Sequence, residues 1–76
     1  TMYNIYTQNQ CNFCTMAKQI MFDQNIDFME INVQYDDQAK DFMKEQGFKT
    51  VPQIYDNDGN HIGGYNDLLE IYKKEG

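Results

Sequence analysis

The stretch YNIYTQNQCNFCTMAKQI, residues 3–20, decides how this 76-residue chain is expected to fold. Its first five residues, Tyr3–Thr7, are rich in aromatic and β-branched side chains and predict a buried strand. From Asn12 onwards apolar residues recur at helical spacing. They are Phe13, Met16, Ala17, Ile20 and Met21. Two cysteines, Cys11 and Cys14, stand where this helix begins, so a Cys-x-x-Cys motif joins the strand to the helix.

The next segment repeats the order of strand and helix. Residues 27–33 alternate loosely in polarity and predict a second strand. A second helix follows, with Asp36 or Asp37 as its N-cap and Gly47 at its C-terminal stop. The β-α-β order of this half implies two parallel strands that are joined by a right-handed crossover.

The rest of the chain predicts a hairpin and a third helix. Residues 53–56 and 61–64 read as short strands around the turn sequence DNDGN. Asn66 or Asp67 is expected to cap the last helix. Its inward-facing residues are predicted to be Leu68, Leu69, Ile71 and Tyr72. The order β-α-β-α-β-β-α therefore predicts one α/β domain over residues 1–76, with a four-stranded mixed sheet flanked by three helices.

Composition and charge restrict the classes of partner. The chain carries twelve acidic residues against six lysines and no arginine, for a formal net charge of −6. This balance argues against binding to nucleic acid or to an anionic membrane. It suits a basic protein partner or electrostatic steering, although an acidic surface is more often only a solubility feature. Neither an apolar stretch of transmembrane length nor a signal peptide is evident, so we expect a cytoplasmic location, and we take a monomer as the default.

The spacing of the two cysteines assigns them different chemical roles. Residues three apart in the first turn of a helix lie roughly 5–6 Å apart, which is within disulfide range. A Cys11 thiolate would be stabilised by the unpaired N–H groups and the positive end of the helix, which lowers the pKa of a thiol. Cys14, one turn further in, is better shielded. We therefore predict that Cys11 attacks a disulfide and that Cys14 resolves the mixed disulfide.

Other uses of the cysteine pair stay open at this point. Zinc would need two further ligands, and the chain offers only His61 and carboxylates. We expect His61 to be a surface or packing residue. A dimer could pool two cysteine pairs around zinc or an iron–sulfur cluster. A structural staple is a poor explanation, because a four-residue ring constrains the unfolded chain very little.

Two further motifs are candidates for substrate binding. The segment Thr50–Pro52 holds the only proline of the chain. A cis bond before Pro52 would leave the backbone of Val51 free to pair with an extended peptide, although a plain turn is the alternative. The segment Gly63–Asp67 places two glycines before a helix, whose first N–H groups form either a small anion site or an ordinary turn.

Taken together, the motifs IYT…CNFC, TVPQIY and IGGYNDL resemble those of a glutaredoxin, of the short dithiol type found in bacteria and phages. The resemblance implies a thioredoxin-like fold, a cis peptide bond before Pro52 and redox-active cysteines. It implies that Thr50 and Val51 pair with the cysteinyl backbone of glutathione. It also implies that Asn66 and Asp67 receive the γ-glutamyl group. Gln8, Phe13, Pro52 and Gly64 complete the implied glutathione site.

The sequence departs from the family pattern at three positions. Asn12 and Phe13 replace the usual Pro-Tyr pair between the cysteines, which removes a fixed φ angle and a hydroxyl but keeps an aromatic wall. Gln8 stands where many members have a lysine, so it can donate a hydrogen bond but carries no charge. Lys18 and Lys49 are candidate substitutes for that lysine.

The resemblance implies an enzyme that reduces protein disulfides and glutathione mixed disulfides with glutathione as reductant. No bound cofactor or metal is expected. Ribonucleotide reductase is a candidate protein substrate, because glutaredoxins of bacteria and phages commonly supply it with electrons. Two alternatives remain. The same fold could be recharged by thioredoxin reductase, or the chain could form a metal- or iron–sulfur-bridged dimer.

Overall fold

The computed structural model describes residues 2–73 of the chain. Within these residues seven elements occur in the predicted order: β1 (Tyr3–Thr7), α1 (Asn12–Asp23), β2 (Phe28–Asn32), α2 (Asp37–Glu45), β3 (Gln53–Tyr55), β4 (His61–Gly63) and α3 (Tyr65–Tyr72). The strands form a mixed sheet in the order β2-β1-β3-β4. Strand β1 is parallel to β2 and antiparallel to β3, and β4 is antiparallel to β3. The predicted four-stranded mixed sheet with three helices is therefore confirmed.

The hairpin between β3 and β4 forms where the turn sequence predicted it. Each strand is one residue shorter than expected, because Asp56 belongs to the turn and Gly64 is the N-cap of α3. The carboxylate of Asp56 accepts backbone hydrogen bonds from Asn60 and Asp58, both at 2.9 Å. These bonds hold the pKa of Asp56 below its usual value, and the bond from the backbone of Asn60 has the largest effect. Gly59 supplies the positive φ angle of +86° that the turn requires.

Helix α2 begins and ends as its sequence predicted. Asp36 is the N-cap, and its side chain accepts a hydrogen bond from the backbone N–H of Ala39 at 3.0 Å. Gly47 follows the helix with a φ angle of +77°, and its N–H donates to the carbonyl oxygen of Lys44 at 3.0 Å. The expected second strand is also present, but β2 is shorter than residues 27–33 by one residue at each end.

The predicted cap of α3 is wrong. The N-cap is Gly64, whereas Asn66 and Asp67 are the second and third residues of the helix. The carboxylate of Asp67 reaches back and accepts a hydrogen bond from the backbone N–H of Gly64 at 3.0 Å. An acidic side chain at the third helical position can satisfy the N-cap N–H in this way. The same carboxylate therefore stabilises the helix start from inside the helix.

The face of the sheet that α1 and α3 cover carries the main core. Ile5, Ala17, Met21, Ile54 and Leu68 have no exposed surface and form one cluster. Each large aliphatic side chain buried in this way contributes about 1.5–3 kcal/mol relative to exposure. The two strand residues come from adjacent central strands, β1 and β3. This cluster fixes the position of α1, and therefore of the cysteines, against the sheet.

The C-terminal end of α3 is tied to the start of β1. The hydroxyl groups of Tyr3 and Tyr72 lie 2.8 Å apart and form a hydrogen bond. This hydrogen bond, together with partial burial, raises the pKa of Tyr3 to about 12.

Aromatic rings fill the opposite face of the sheet, beneath α2. The ring of Tyr6 stacks on Phe42 with centroids 5.4 Å apart, and Tyr55 lies 5.9 Å from both rings. Because side chains alternate along a strand, Tyr6 and Tyr55 point away from the face that holds their neighbours Ile5 and Ile54. Helix α2 is therefore anchored through ring contacts.

Leu69 and Ile71, which were predicted to face inward, are exposed instead, and the apolar residues Phe13 and Met16 of α1 are exposed as well. Phe13, Met16, Leu69 and Ile71 have exposed fractions of 55%, 42%, 37% and 57%. Helix α3 has only eight residues and packs through a narrow stripe that centres on Leu68. Apolar spacing alone therefore overestimated the buried width of α3.

Candidate active site

The two cysteines form a disulfide at the N-terminus of α1. Cys11 is the N-cap, and its Cα atom lies 5.2 Å from that of Cys14, within the range expected from their spacing. The backbone N–H of Cys14 points at the sulfur of Cys11 at 3.1 Å. Cys14 is buried at 2% exposure, whereas Cys11 is partly exposed. Of the two sulfurs, that of Cys11 is the more accessible to a substrate.

The loop that delivers Cys11 is held by a network of side chains. Asn9 donates from its amide to the hydroxyl of Tyr35 at 2.6 Å and accepts from the amide of Asn32 at 2.9 Å. Gln10 follows with a φ angle of +57°, which turns the chain into the helix. Sequence reasoning missed this network, since its members are polar residues in loops and at the end of β2 that are far apart in the chain.

The segment Thr50–Pro52 lies beside the cysteine pair. The Val51–Pro52 peptide bond is cis, as the resemblance implied. The carbonyl oxygen of Val51 lies 3.9 Å from the sulfur of Cys11. From below, the buried side chain of Gln53 donates to the carbonyl oxygen of Thr50 at 3.1 Å. The backbone of Val51 is therefore positioned next to the accessible sulfur.

His61 supports this segment from the hairpin and is a packing residue at the surface, as expected. Its ring stacks on Phe48 with centroids 4.7 Å apart, and its Nε2 atom lies 2.8 Å from the amide oxygen of Gln53. This contact orients the amide of Gln53, whose nitrogen in turn bonds Thr50.

The two glycines before α3 allow a close approach of backbones. Gly63 has a φ angle of +124°, and a Cβ atom there would overlap the carboxylate of Asp67 and lie 2.7 Å from its Cγ atom. A Cβ atom on Gly64 would lie 3.4 Å from the carbonyl oxygen of Pro52. The N-terminus of α3 therefore sits directly beside the cis-proline segment.

A groove of about 310 Å³ runs between these elements, and we call it the α3 groove. It is lined by Phe13, Thr50, Val51, Pro52, Gly64, Tyr65, Asn66 and Asp67. The structure thus brings together seven of the eight residues that the resemblance placed at a glutathione site. Tyr65 was missed, although its position between the glycines and Asn66 was a signal. Its ring lies 5.7 Å from that of Phe13.

The eighth predicted residue, Gln8, lies in a second groove of about 210 Å³, which we call the lysine groove. It is lined by Gln8, Val33, Lys40, Met43, Lys44, Phe48, Lys49, Thr50 and Val51. Thr50 and Val51 belong to both grooves, so the two grooves meet beside Cys11.

Lys18 and Lys49, the two candidate substitutes for the family lysine at the position of Gln8, have different surroundings. The ammonium group of Lys18 lies 3.1 Å from both carboxylate oxygens of Glu30, while Lys49 lines the groove that contains Gln8. Burial raises the pKa of Glu30, but hydrogen bonds from the Thr7 hydroxyl and from Lys18 outweigh it and leave that pKa below its usual value. Lys18 is therefore engaged elsewhere.

The fold and this site match a known family. The family model described as glutaredoxin matches residues 4–62, which is most of the chain. The chain belongs to the glutaredoxin family. A curated relative, a probable glutaredoxin of Synechocystis, is 41% identical over 69 residues, which are 88% of this chain. The chain spans 44% to 62% of the length of this glutaredoxin and of three mammalian mitochondrial glutaredoxin-2 sequences.

Solved glutaredoxin structures confirm the thioredoxin-like fold. The crystal structure of glutaredoxin 1 from Francisella tularensis, complexed with cacodylate, is 35% identical with a TM-score of 0.77, and the match covers 91% of this chain and 88% of that one. The glutaredoxin-like protein NrdH-redoxin from Escherichia coli, whose activity profile is described as thioredoxin-like, is 26% identical. Its TM-score is 0.81, and the match covers 100% of this chain and 99% of that one.

Residues 2–73 contain neither a cluster of metal ligands nor a membrane-spanning helix. No three His, Cys, Asp or Glu side chains of this glutaredoxin's described residues come together where they could hold a metal ion. Among the same residues no helix is both long and apolar enough to cross a membrane.

Proposed function

We propose that the chain is a thiol–disulfide oxidoreductase that reduces protein disulfides and glutathione mixed disulfides, with glutathione as the reductant. The observation that carries the proposal is the disulfide at the start of α1, whose accessible sulfur lies 3.9 Å from the carbonyl oxygen of Val51. Val51 lines the α3 groove, so the glutathione part of a mixed disulfide bound there would lie beside Cys11. Membership of the glutaredoxin family supports the same chemistry.

The proposed reaction begins from the reduced pair. The Cys11 thiolate attacks one sulfur of a substrate disulfide, the substrate S–S bond breaks, and the other substrate sulfur leaves as a thiolate. Cys14, as thiolate, then attacks the sulfur of Cys11 and releases the second substrate thiolate. The product is the Cys11–Cys14 disulfide present in this structure. The N–H of Cys14, directed at the Cys11 sulfur, stabilises negative charge on that sulfur.

Glutathione restores the dithiol in two further exchanges. One glutathione thiolate attacks Cys11 and forms a mixed disulfide, and Cys14 leaves as a thiolate that takes up a proton. A second glutathione thiolate attacks the glutathione sulfur of this mixed disulfide, which releases oxidised glutathione and the Cys11 thiolate. Each exchange forms one S–S bond and breaks one, so no further cofactor is needed.

The α3 groove has the groups that glutathione requires. The backbone of Val51, next to a cis bond, can pair with the cysteinyl backbone of the ligand. The γ-glutamyl group carries a carboxylate and an amine, which suit the amide of Asn66, the first N–H groups of α3 and the carboxylate of Asp67. Phe13 and Tyr65 form an aromatic wall at one side of the groove.

The cellular setting belongs to the same proposal. A single cysteine pair that cycles between dithiol and disulfide suits a reducing compartment such as the cytoplasm. We propose that the chain acts there as a monomer on disulfide-containing or glutathionylated proteins, with ribonucleotide reductase as a candidate.

A second candidate is an electron donor that thioredoxin reductase recharges. Two observations favour it: the likeness to NrdH-redoxin over the full length of both chains, and the uncharged Gln8 at the position where many glutaredoxins have a lysine. This candidate keeps the role of Cys11 and changes the source of electrons.

Turnover assays with two reductants test the proposal. The purified protein is given a glutathione mixed disulfide together with either glutathione and glutathione reductase or thioredoxin reductase, and NADPH oxidation is followed. We expect turnover with glutathione. Turnover with thioredoxin reductase alone would favour the second candidate, and failure with both would contradict the proposed function and direct attention to a cluster-bridged dimer.

A further inference from the structure

The lysine groove carries charge of the opposite sign to the chain as a whole. The formal net charge of the protein is −6, yet three of its six lysines line this one groove. Its described lining residues include no Asp or Glu. An anionic ligand would therefore be attracted to this groove and repelled by most of the remaining surface.

The three lysines of this groove form no ion pair with a carboxylate of residues 2–73. Asp37 and Asp41 precede Lys40 and Lys44 by three positions on α2, a spacing that permits ion pairs. Within residues 2–73 neither pair forms, and Lys49 makes no ion pair either. All three lysines are exposed, so their ammonium groups are available to an external anion.

The lining of the groove suits a short peptide segment. Its apolar residues form the floor, with Met43 buried and Val33, Phe48 and Val51 half-buried, while the lysines are exposed. A volume of about 210 Å³ admits a few side chains. Val51 lines the groove, and its carbonyl oxygen lies 3.9 Å from the sulfur of Cys11. A peptide whose cysteine reacts with Cys11 could therefore continue into it.

We propose that the lysine groove binds an acidic segment of the substrate protein, adjacent to the cysteine that exchanges with Cys11. Carboxylates of this segment pair with Lys40, Lys44 and Lys49, and an apolar side chain rests on the floor. The inference rests on the proposed thiol–disulfide function and specifies which protein substrates that function prefers. It also assigns an acidic segment to the partner, whereas the net charge alone suggested a basic partner.

Two peptides test the preference directly. They share one internal disulfide, which is flanked by glutamates in one peptide and by glutamines in the other. The protein is reduced and freed of reductant, and the rate of its single-turnover reaction with each peptide is measured. We expect the acidic peptide to react about fivefold faster at low salt. This advantage should decline as ionic strength rises, because salt screens exposed charges.

Two matched double variants locate the effect. Lys40→Gln/Lys44→Gln removes two ammonium groups from the groove, and Lys18→Gln/Lys73→Gln removes two from elsewhere. Both change the net charge equally, and glutamine retains a helix propensity close to that of lysine. The groove variant should lose most of the preference for the acidic peptide, whereas the control variant should keep it. Thermal unfolding of both variants verifies that they are folded.

The outcomes separate this inference from the proposed function. Equal rates for the two peptides, or an equal loss of preference in both double variants, would overturn the groove assignment while the oxidoreductase function stands. A groove that served only a carboxylate of glutathione would leave the peptide rates of the groove variant unchanged, which also overturns it. Failure to reduce either peptide would contradict the proposed function itself.

A binding measurement gives an answer that is independent of activity. The oxidised protein, labelled with ¹⁵N, is titrated with the acidic peptide in which both cysteines are replaced by serine. We expect amide shifts that concentrate at Lys40, Lys44 and Lys49 and are small at Asn66 and Asp67. Shifts that concentrate in the α3 groove, or none at millimolar peptide, would overturn the proposal.

Discussion

The two grooves that meet at Val51 are built in different ways. The α3 groove depends on backbone geometry: a cis peptide bond before Pro52, a positive φ angle at Gly63 and a hydrogen bond from the N–H of Gly64 to Asp67. The lysine groove depends on the ends of flexible side chains from α2 and the segment before β3. Backbone geometry tolerates few substitutions, whereas a rim lysine can change without altering the fold. The former suits a constant ligand such as glutathione, and the latter suits recognition of particular proteins.

The largest effect is expected from removal of the Cys11 sulfur, which lies beside both grooves. Cys11→Ser should abolish reaction with the glutathione mixed disulfide and with both peptides, because Cys14 is buried and cannot replace it. Rates are measured in the coupled assay and in the single-turnover assay. Residual activity above background with either substrate class would contradict the role of Cys11.

Cys14→Ser provides the matched control for the same comparison. It should retain turnover of glutathione mixed disulfides, which needs only the outer sulfur and a second glutathione. Release of reduced peptide from an internal disulfide should stop at the mixed disulfide, which mass spectrometry detects as a covalent adduct. Loss of both activities would show that the two cysteines do not divide the work as proposed.

The second prediction concerns Gly63→Ala, which should distort the α3 groove and leave the lysine groove unchanged. In Gly63→Ala the new methyl group overlaps the carboxylate of Asp67, and the φ angle of +124° is strained for alanine. We expect a loss of about 2–4 kcal/mol in the free energy of unfolding and a rise of about tenfold in the KM for glutathione. Urea unfolding and coupled kinetics measure the two quantities.

Gly59→Ala is the control for backbone strain. Gly59 also has a positive φ angle, but no atom lies within 4 Å of an added Cβ atom. We expect a loss of about 1–2 kcal/mol in the free energy of unfolding, with an unchanged KM. If both variants raised the KM alike, the account of Gly63 as the residue that makes room for the Asp67 side chain of the groove would be wrong.

The smallest effect is expected from a positive charge that is added to the lysine groove. Gln8→Lys places a fourth ammonium group among the lining residues. The preference for the acidic peptide should rise by about twofold, and the rate of Cys11 alkylation should reach half its maximum at lower pH, because a nearby cation favours the thiolate. The uncharged Gln8→Met variant serves as control. An alkylation profile that is the same in all three proteins would count against this account of Gln8.

Features that follow local sequence rules were predictable. The Cys-x-x-Cys motif after a strand, the Asp36 cap, Gly47 after α2 and the DNDGN turn each satisfy backbone requirements within a few residues of themselves. The structure contains them all. Most of the α3 groove was predictable for a related reason, since its backbone geometry leaves motifs that a family resemblance can carry.

Features that depend on packing between distant segments were not predictable. The exposure of Leu69 and Ile71 depends on how much of α3 the sheet covers, which apolar spacing does not report. The lysine groove brings Lys40 and Lys44 of α2 beside Gln8, which lies far earlier in the sequence. Only the three-dimensional structure shows that the ammonium groups of Lys40, Lys44 and Lys49 line one groove.

The most direct test of the central claim is the structure of the Cys14→Ser variant with glutathione trapped on Cys11 as a mixed disulfide. The account predicts that the cysteinyl backbone of glutathione pairs with Val51, that its γ-glutamyl group lies at Asn66 and Asp67, and that glutathione does not extend along Lys40 and Lys44. Glutathione extended along Lys40 and Lys44, or turned away from both grooves, would contradict it.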